Sequence, residues 1–168
     1  MKIGLSSYSL VNRIYSGEMS VLDVMQFAAD NGAKHFELVP FGYKFYDDET
    51  GQFDEGLIEA VRAKSAELGL PLSNYAVLAD LLKPTEAERE AERERLKRHI
   101  DVAAKLGVPF MRHDVSSFRR PLELNTPAEF ERLFPLMVEQ TRELSEYAAQ
   151  YGITTLVENH GFFVNGGD

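Results

Sequence analysis

The sequence predicts an α/β fold built on a parallel β-sheet, and an internal repeat is the main reason. Four segments share one pattern: a helix ends in small and polar residues, a glycine follows, and a short apolar run begins. The glycines recur roughly every 40 residues, a period typical of stacked supersecondary units, at Gly32, Gly69, Gly107 and Gly152. Strands that alternate with helices favour right-handed crossovers and a parallel sheet.

Each predicted helix starts at a residue that can cap it. Three starts pair a Ser or Thr with an acidic residue three positions later, the spacing of a capping box: Ser20 with Asp23, Thr85 with Glu88, and Thr126 with Glu129. Asp54 can cap the remaining helix. Helices are therefore predicted at residues 21–31, 55–68, 86–106 and 127–151, and strands at residues 3–9, 35–39, 72–77, 109–115 and 153–160.

Five parallel strands can form an open sheet or part of a closed barrel. No glycine-rich phosphate fingerprint follows the first strand, which disfavours a nucleotide-binding open sheet. An eight-stranded barrel typically needs about 250 residues, and the sequence ends soon after the fifth strand. We interpret the chain as a parallel (β/α) barrel of the TIM type with about five of the eight units. Residues 1–168 are expected to form a single domain that is truncated at its C-terminus.

The composition limits the class of protein. The chain has 44% hydrophobic and 27% charged residues, no cysteine and a net charge of -9. The lack of cysteine excludes disulfides and thiolate zinc sites. The negative charge disfavours nucleic acid and anionic membranes as partners, but it suits a divalent cation. With neither a secretory signal nor an apolar span, the predicted location is the cytoplasm.

Candidate functional residues follow from the rule that chemistry in a parallel barrel gathers at the carboxyl ends of the strands. The fifth predicted strand ends in Glu158 and His160, which share one face because side chains alternate along a strand. A carboxylate in an apolar strand is costly unless it is paired or bound to a metal. This pair therefore suits joint action on one ion or substrate, and a solvated strand end is the alternative.

Two further strands carry polar residues in the same region. On the fourth strand, Arg112 and Asp114 share the face expected to point into the barrel, where they could pair with each other or bind substrate hydroxyls or phosphate. His113 lies on the opposite face and either packs behind the strand or acts as a ligand. Glu37 on the second strand could orient a substrate hydroxyl or form a buried ion pair. The remaining histidines, His35 and His99, are predicted to be structural.

A loop between the second strand and the next helix is rich in aromatic residues. It carries Phe41, Tyr43, Phe45, Tyr46 and Phe53. This composition is consistent with a wall of a binding site or with packing of the loop on its own barrel.

Three stretches of the sequence resemble the xylose-isomerase-like TIM barrel superfamily. They are Ile-Gly-Leu-Ser-Ser-Tyr-Ser at residues 3–9, the segment from Gly32 to Leu38, and Leu-Val-Glu-Asn-His-Gly at residues 156–161. The superfamily holds sugar phosphate isomerases and epimerases, inosose dehydratases and endonuclease-IV-type enzymes. The resemblance covers the whole chain and implies an isomerase or epimerase of carbohydrate metabolism.

The resemblance also implies a metal and a reaction. Glu158 matches the superfamily glutamate that binds Mn²⁺, Mg²⁺, Co²⁺ or Zn²⁺, and it is the implied catalytic carboxylate. Three further ligands on strands six to eight have no counterpart here, so a cation would be incompletely coordinated and the chain alone inactive. The implied reaction is carboxylate-assisted proton transfer next to the carbonyl of a sugar or sugar phosphate. The predicted substrate-binding residues are His160, Arg112, Asp114, Glu37 and His113.

Two alternatives remain open at this point. A non-catalytic half-barrel could self-associate as a homo-oligomer to bury its open sheet edge. An endonuclease-IV-type phosphodiesterase would need three zinc ions and many histidines, whereas the chain has four histidines and an acidic charge that repels DNA.

Overall fold

A computed structural model describes residues 1–160, 163 and 164 of the chain. The helices are α1 (Val11–Tyr15), α2 (Val21–Asp30), α3 (Glu55–Leu68), α4 (Glu86–Leu106) and α5 (Pro127–Ala149). The strands are β1 (Leu5–Ser6), β2 (Phe36–Leu38), β3 (Tyr46–Asp47), β4 (Gln52–Phe53), β5 (Leu72–Val77), β6 (Phe110–His113) and β7 (Thr154–Val157). Two 3-10 turns lie at Ser7–Leu10 and Leu122–Leu124.

Five strands form one sheet in the order β1-β2-β5-β6-β7, and every neighbouring pair is parallel. The strands follow one another in chain order, so the sheet advances in one direction. A doubly wound sheet would instead reverse its order at a switch point, whereas a barrel does not. The predicted parallel α/β fold with five successive strands is confirmed. The short antiparallel pair β3–β4, inserted after β2, was not predicted.

Four of the five strands in the parallel sheet are shorter than the sequence predicts, whereas β5 has the predicted bounds of residues 72–77. The first ends at Ser6, because the Ser7 hydroxyl donates to the Val39 carbonyl and accepts from the Val39 N–H, and the chain turns into a 3-10 helix there. The strands predicted at residues 109–115 and 153–160 end at His113 and Val157. The polar residues that follow these two strands therefore lie in loops at the carboxyl edge of the sheet.

The four predicted helices start after their predicted caps, but one of the three expected capping boxes is incomplete. Ser20 and Thr85 each form a complete capping box with the acidic residue three positions on. The Thr126 side chain accepts a hydrogen bond from the Glu129 N–H at 3.2 Å. The Glu129 carboxylate, however, binds Arg132 and Arg120 instead of closing the box.

The hydrophobic core lies between the sheet and the helices. Its largest fully buried side chains include Phe36, Tyr75, Leu96, Ile100 and Met111. Burial of this apolar surface is the main term that holds α2 to α5 against the strands. None of the helices in the described residues is long and apolar enough to cross a bilayer.

His99, predicted to be structural, is buried on α4. Its Nδ1 lies 2.8 Å from the Tyr75 hydroxyl, and its Nε2 lies 3.6 Å from Asp48 Oδ1. Burial lowers the pKa of His99 to about 4, and the positive charge of Arg95 acts in the same direction. The folded protein therefore holds this imidazole neutral at pH values where the unfolded chain would protonate it.

The buried histidine predicts a loss of stability on mild acidification. Between pH 6.5 and about 4 the unfolded state binds the proton and the folded state does not, so the free energy of unfolding falls as pH falls, by up to about 1.4 kcal/mol per pH unit. Urea unfolding of wild type and His99→Gln across this window measures the effect. The variant is expected to show the flatter pH dependence, and equal slopes would contradict the assignment.

Candidate active site

The carboxyl ends of the parallel strands open into a cavity of about 1040 Å³. Five of the six predicted site residues line it: Glu37, Arg112, Asp114, Glu158 and His160. Their convergence follows from the strand register. His113 on β6 pairs with Val157 on β7, so the residues that follow these two strands, Asp114 and Glu158, leave the sheet side by side.

Arg112, on β6, forms the centre of the polar cluster. Its Nη1 lies 3.2 Å from Asp114 Oδ1 and also forms an ion pair with Glu158 Oε2. The Asp114 side chain is 5% exposed, that of Arg112 is 19% exposed and that of Glu158 is 47% exposed. A buried carboxylate is costly unless a positive charge accompanies it, and the guanidinium of Arg112 supplies that charge beside Asp114.

His160 joins the cluster through Asp114. The Nδ1 atom of its ring lies 3.2 Å from the same Asp114 Oδ1 that contacts Arg112. The Phe118 ring lies against the imidazole, with 5.0 Å between ring centroids. Asp114 thus holds both a guanidinium and an imidazole in place at the floor of the cavity.

The cluster also offers donors to a metal ion. Asp114, Glu158 and His160 each present one ligand atom, and these atoms lie within 4.8 Å of one another. Two carboxylate oxygens and one imidazole nitrogen suit Mn²⁺, Co²⁺ or Zn²⁺. The donor chemistry therefore fits the divalent cation that the resemblance implies. Asp114, predicted from sequence only to pair with Arg112 or to bind substrate, is a third candidate donor beside Glu158 and His160.

Glu37 lies on a neighbouring wall of the cavity. Its Oε1 accepts a hydrogen bond of 2.8 Å from Asn74 Nδ2 on the adjacent strand β5. The partner is an amide rather than the cation that a buried ion pair would need. Asn74 was missed by the sequence reasoning, because pairing of Glu37 with Asn74 depends on a register that a single strand does not reveal.

His113 is the one predicted site residue that does not line the cavity. It is 1% exposed on the opposite face of β6, and its Nδ1 lies 2.9 Å from the Asp114 carbonyl oxygen. Burial lowers the pKa of His113 and so favours the neutral form of the ring. Its position matches the alternative in which it packs behind the strand, and its substrate-binding role stays an untested prediction.

The aromatic loop divides between the core and the cavity. Phe41 lines the cavity and packs edge-to-face on Tyr8, with ring centroids 5.7 Å apart. Phe45 is buried, and the Tyr43 hydroxyl lies 3.2 Å from Ser7 Oγ. Most of this loop therefore packs on its own fold, and its first aromatic residue contributes to the cavity wall.

The fold and cavity define a partial parallel (β/α) barrel with a polar cluster at its carboxyl end. A family model described as a xylose isomerase-like TIM barrel matches residues 25–168. The chain belongs to this family. No curated protein sequence matches it.

Solved structures share the fold at low sequence identity. A D-psicose 3-epimerase, solved in the presence of D-fructose, superposes with a TM-score of 0.71 at 16% identity over 99% of this chain and 55% of its own. The 3-keto-D-glucoside 4-epimerase YcjR from E. coli superposes with a TM-score of 0.64 at 20% identity, over 94% of this chain and 55% of its own. A sugar phosphate isomerase/epimerase from Parabacteroides distasonis superposes with a TM-score of 0.64 at 18% identity, over 97% of this chain and 58% of its own. The chain therefore spans a little over half the length of these structures.

Proposed function

We propose that this chain carries the metal and carboxylate site of a sugar or sugar phosphate isomerase/epimerase. The observation that carries the proposal is the position of Glu158: it follows a barrel strand at the carboxyl edge and converges with Asp114 and His160 within 4.8 Å. The shared fold of epimerases and isomerases supports the same class of enzyme.

The proposed roles follow from the contacts of each side chain. Glu158 is the most exposed of the cluster carboxylates and serves as both ligand and proton-transfer base, while Asp114 and His160 help to hold the cation. A bound divalent cation supplies polarisation of the substrate carbonyl. Arg112 and Glu37 line the same cavity and bind substrate hydroxyl or phosphate oxygens.

The proposal also covers the substrate, the cation and the location of the protein. The substrate is a small sugar or sugar phosphate, the cation is Mn²⁺, Mg²⁺, Co²⁺ or Zn²⁺, and the location is the cytoplasm. Nucleic acid is not expected to bind to so acidic a chain. Three predictions about residues 1–168 also stay predictions. The segment coordinates the cation incompletely, it is inactive alone, and it is a truncated domain.

Solvent hydrogen exchange tests the proposed reaction directly. In D₂O with Mn²⁺ and a panel of ketoses and ketose phosphates, the complete gene product is expected to introduce deuterium next to the carbonyl, as measured by NMR. Glu158→Gln is expected to lose at least about 100-fold in exchange rate, because general-base catalysis contributes 10²–10⁴-fold. Residues 1–168 alone, measured in parallel, test the predicted inactivity.

The control for this assay is Glu139→Gln, which removes an exposed carboxylate on α5 and is expected to keep the wild-type rate. Exchange that survives Glu158→Gln would contradict the role of Glu158. Absence of exchange with every ketose and ketose phosphate by the complete gene product would contradict the proposed function.

A self-associating half-barrel is the second candidate, because one edge of the sheet is apolar and exposed. Within the described residues β7 pairs only with β6, and Leu156 and Val157 are 39% and 46% exposed. Open strand edges favour pairing with another chain. Light scattering over a range of concentrations measures the oligomeric state, and a dimer is expected for the second candidate.

The phosphodiesterase alternative has less support, since His35 and His99 lie outside the cavity lining.

A further inference from the structure

The guanidinium of Arg112 contacts two of the three candidate metal ligands, Asp114 and Glu158. A single nitrogen, Nη1, contacts Oδ1 of Asp114 and Oε2 of Glu158. The same Asp114 oxygen lies 3.2 Å from Nδ1 of His160. The three ligand atoms are within 4.8 Å of one another, so the space among them has room for one cationic centre.

We propose that Arg112 is an internal cation that competes with the divalent metal for Asp114 and Glu158, and that it leaves these carboxylates when the metal binds. This inference rests on the proposed function, which supplies the metal. Carboxylate oxygens approach a divalent cation to about 2.0–2.6 Å. Nη1 of Arg112 already contacts Oδ1 of Asp114 and Oε2 of Glu158, so these two oxygens cannot bind a metal at that point until the arginine leaves.

Charge and burial both support exchange of one cation for the other. Asp114 and Glu158 together carry two negative charges, which a divalent cation neutralises by itself. If the Arg112 guanidinium stayed in contact with these carboxylates after the metal had bound, its positive charge would repel the metal. Because the Asp114 side chain is 5% exposed and that of Arg112 is 19% exposed, solvent and salt screen this repulsion weakly.

Arg112 also stabilises the metal-free protein. If both the metal and Arg112 were absent, Asp114 would be a buried carboxylate with only an imidazole beside it, which is a costly state. Arg112 prevents this state and keeps the site folded until a metal arrives. Glu158 is the half-exposed partner of the pair, so the exchange requires little movement of the buried Asp114.

Competition predicts that removal of the arginine strengthens metal binding. In Mn²⁺ titrations of the complete gene product followed by electron paramagnetic resonance, Arg112→Gln is expected to bind at least tenfold more tightly than wild type. Arg112→Lys keeps the charge and is expected to stay close to wild type. Arg119→Gln removes a different arginine that lines the same cavity, and its affinity is expected to lie within twofold of wild type.

The outcomes separate this inference from the proposed function. If wild type binds Mn²⁺ through Glu158 and Arg112→Gln binds no more tightly, the competition is excluded and the proposed function stands. If neither protein binds, both fail. Should Arg112→Gln not fold, ¹⁵N NMR of the wild-type arginine side chains decides: the Arg112 Nε signal is expected to shift when Zn²⁺ is added, and an unchanged signal at saturation overturns the proposal.

Discussion

Asp114→Asn is expected to lower the affinity of the site for Mn²⁺ by at least about 100-fold. Residues that only support a metal ligand typically change affinity by 10–100-fold, and the buried Asp114 oxygen lies among the three converging ligand atoms. The variant is close to isosteric, so loss of charge is the main change. Calorimetric titration of Mn²⁺ into wild type and variant measures the difference.

A carboxylate of the same cavity provides the control for this experiment. Glu37 is held by Asn74 at 2.8 Å and lies outside the three-ligand cluster. Glu37→Gln is therefore expected to keep the wild-type affinity for Mn²⁺ within about twofold. Equal affinities of Asp114→Asn and wild type would exclude Asp114 as a ligand and leave it the role of positioning Arg112 and His160.

Arg93→Ala is expected to reduce the free energy of unfolding by about 2–4 kcal/mol. Arg93 is buried on α4, where its Nη1 donates a 2.9 Å hydrogen bond to Gln140 Oε1 on α5. The Gln140 amide donates in turn to the Leu81 carbonyl at 2.7 Å. Loss of the guanidinium leaves a buried amide oxygen unpaired and opens a cavity between the two helices. Urea denaturation of both proteins measures the change.

The matched control is Arg132→Ala, which removes an exposed arginine on α5 that pairs with Glu129. Exposed ion pairs contribute roughly 0.5 kcal/mol, so this variant is expected to stay near wild type. If Arg93→Ala were as mild as Arg132→Ala, the link between α4 and α5 through Gln140 would not contribute measurably to stability.

Much of the fold follows from local signals in the sequence. The capping residues before the four predicted helices and the glycines after them locate these helices to within two residues at each end, and α4 runs from Glu86 to Leu106, the range predicted for it. These signals are local, because a cap involves residues three or four positions apart. The short helix α1, which has no side-chain cap, was not predicted. The β3–β4 hairpin was missed because each strand has only two residues, too few for a visible alternation.

The members of the candidate site were predictable, but their pairing was not. The rule that parallel strands end at one edge selected Glu158, His160, Arg112 and Asp114 together. The contact of Arg112 with both carboxylates depends on the register between β6 and β7, and register is a tertiary property. The same limit explains why Asn74 was overlooked as the partner of Glu37.

Anomalous X-ray scattering from crystals grown with Mn²⁺ would locate the cation relative to Glu158. One peak is expected at the carboxyl end of β7, coordinated by the carboxylate of Glu158 together with Asp114 and His160, and the Arg112 side chain is expected to have moved off the two acids. Glu158 oxygens that point into solvent or toward the helices, with Mn²⁺ bound elsewhere or not at all, would contradict this expectation.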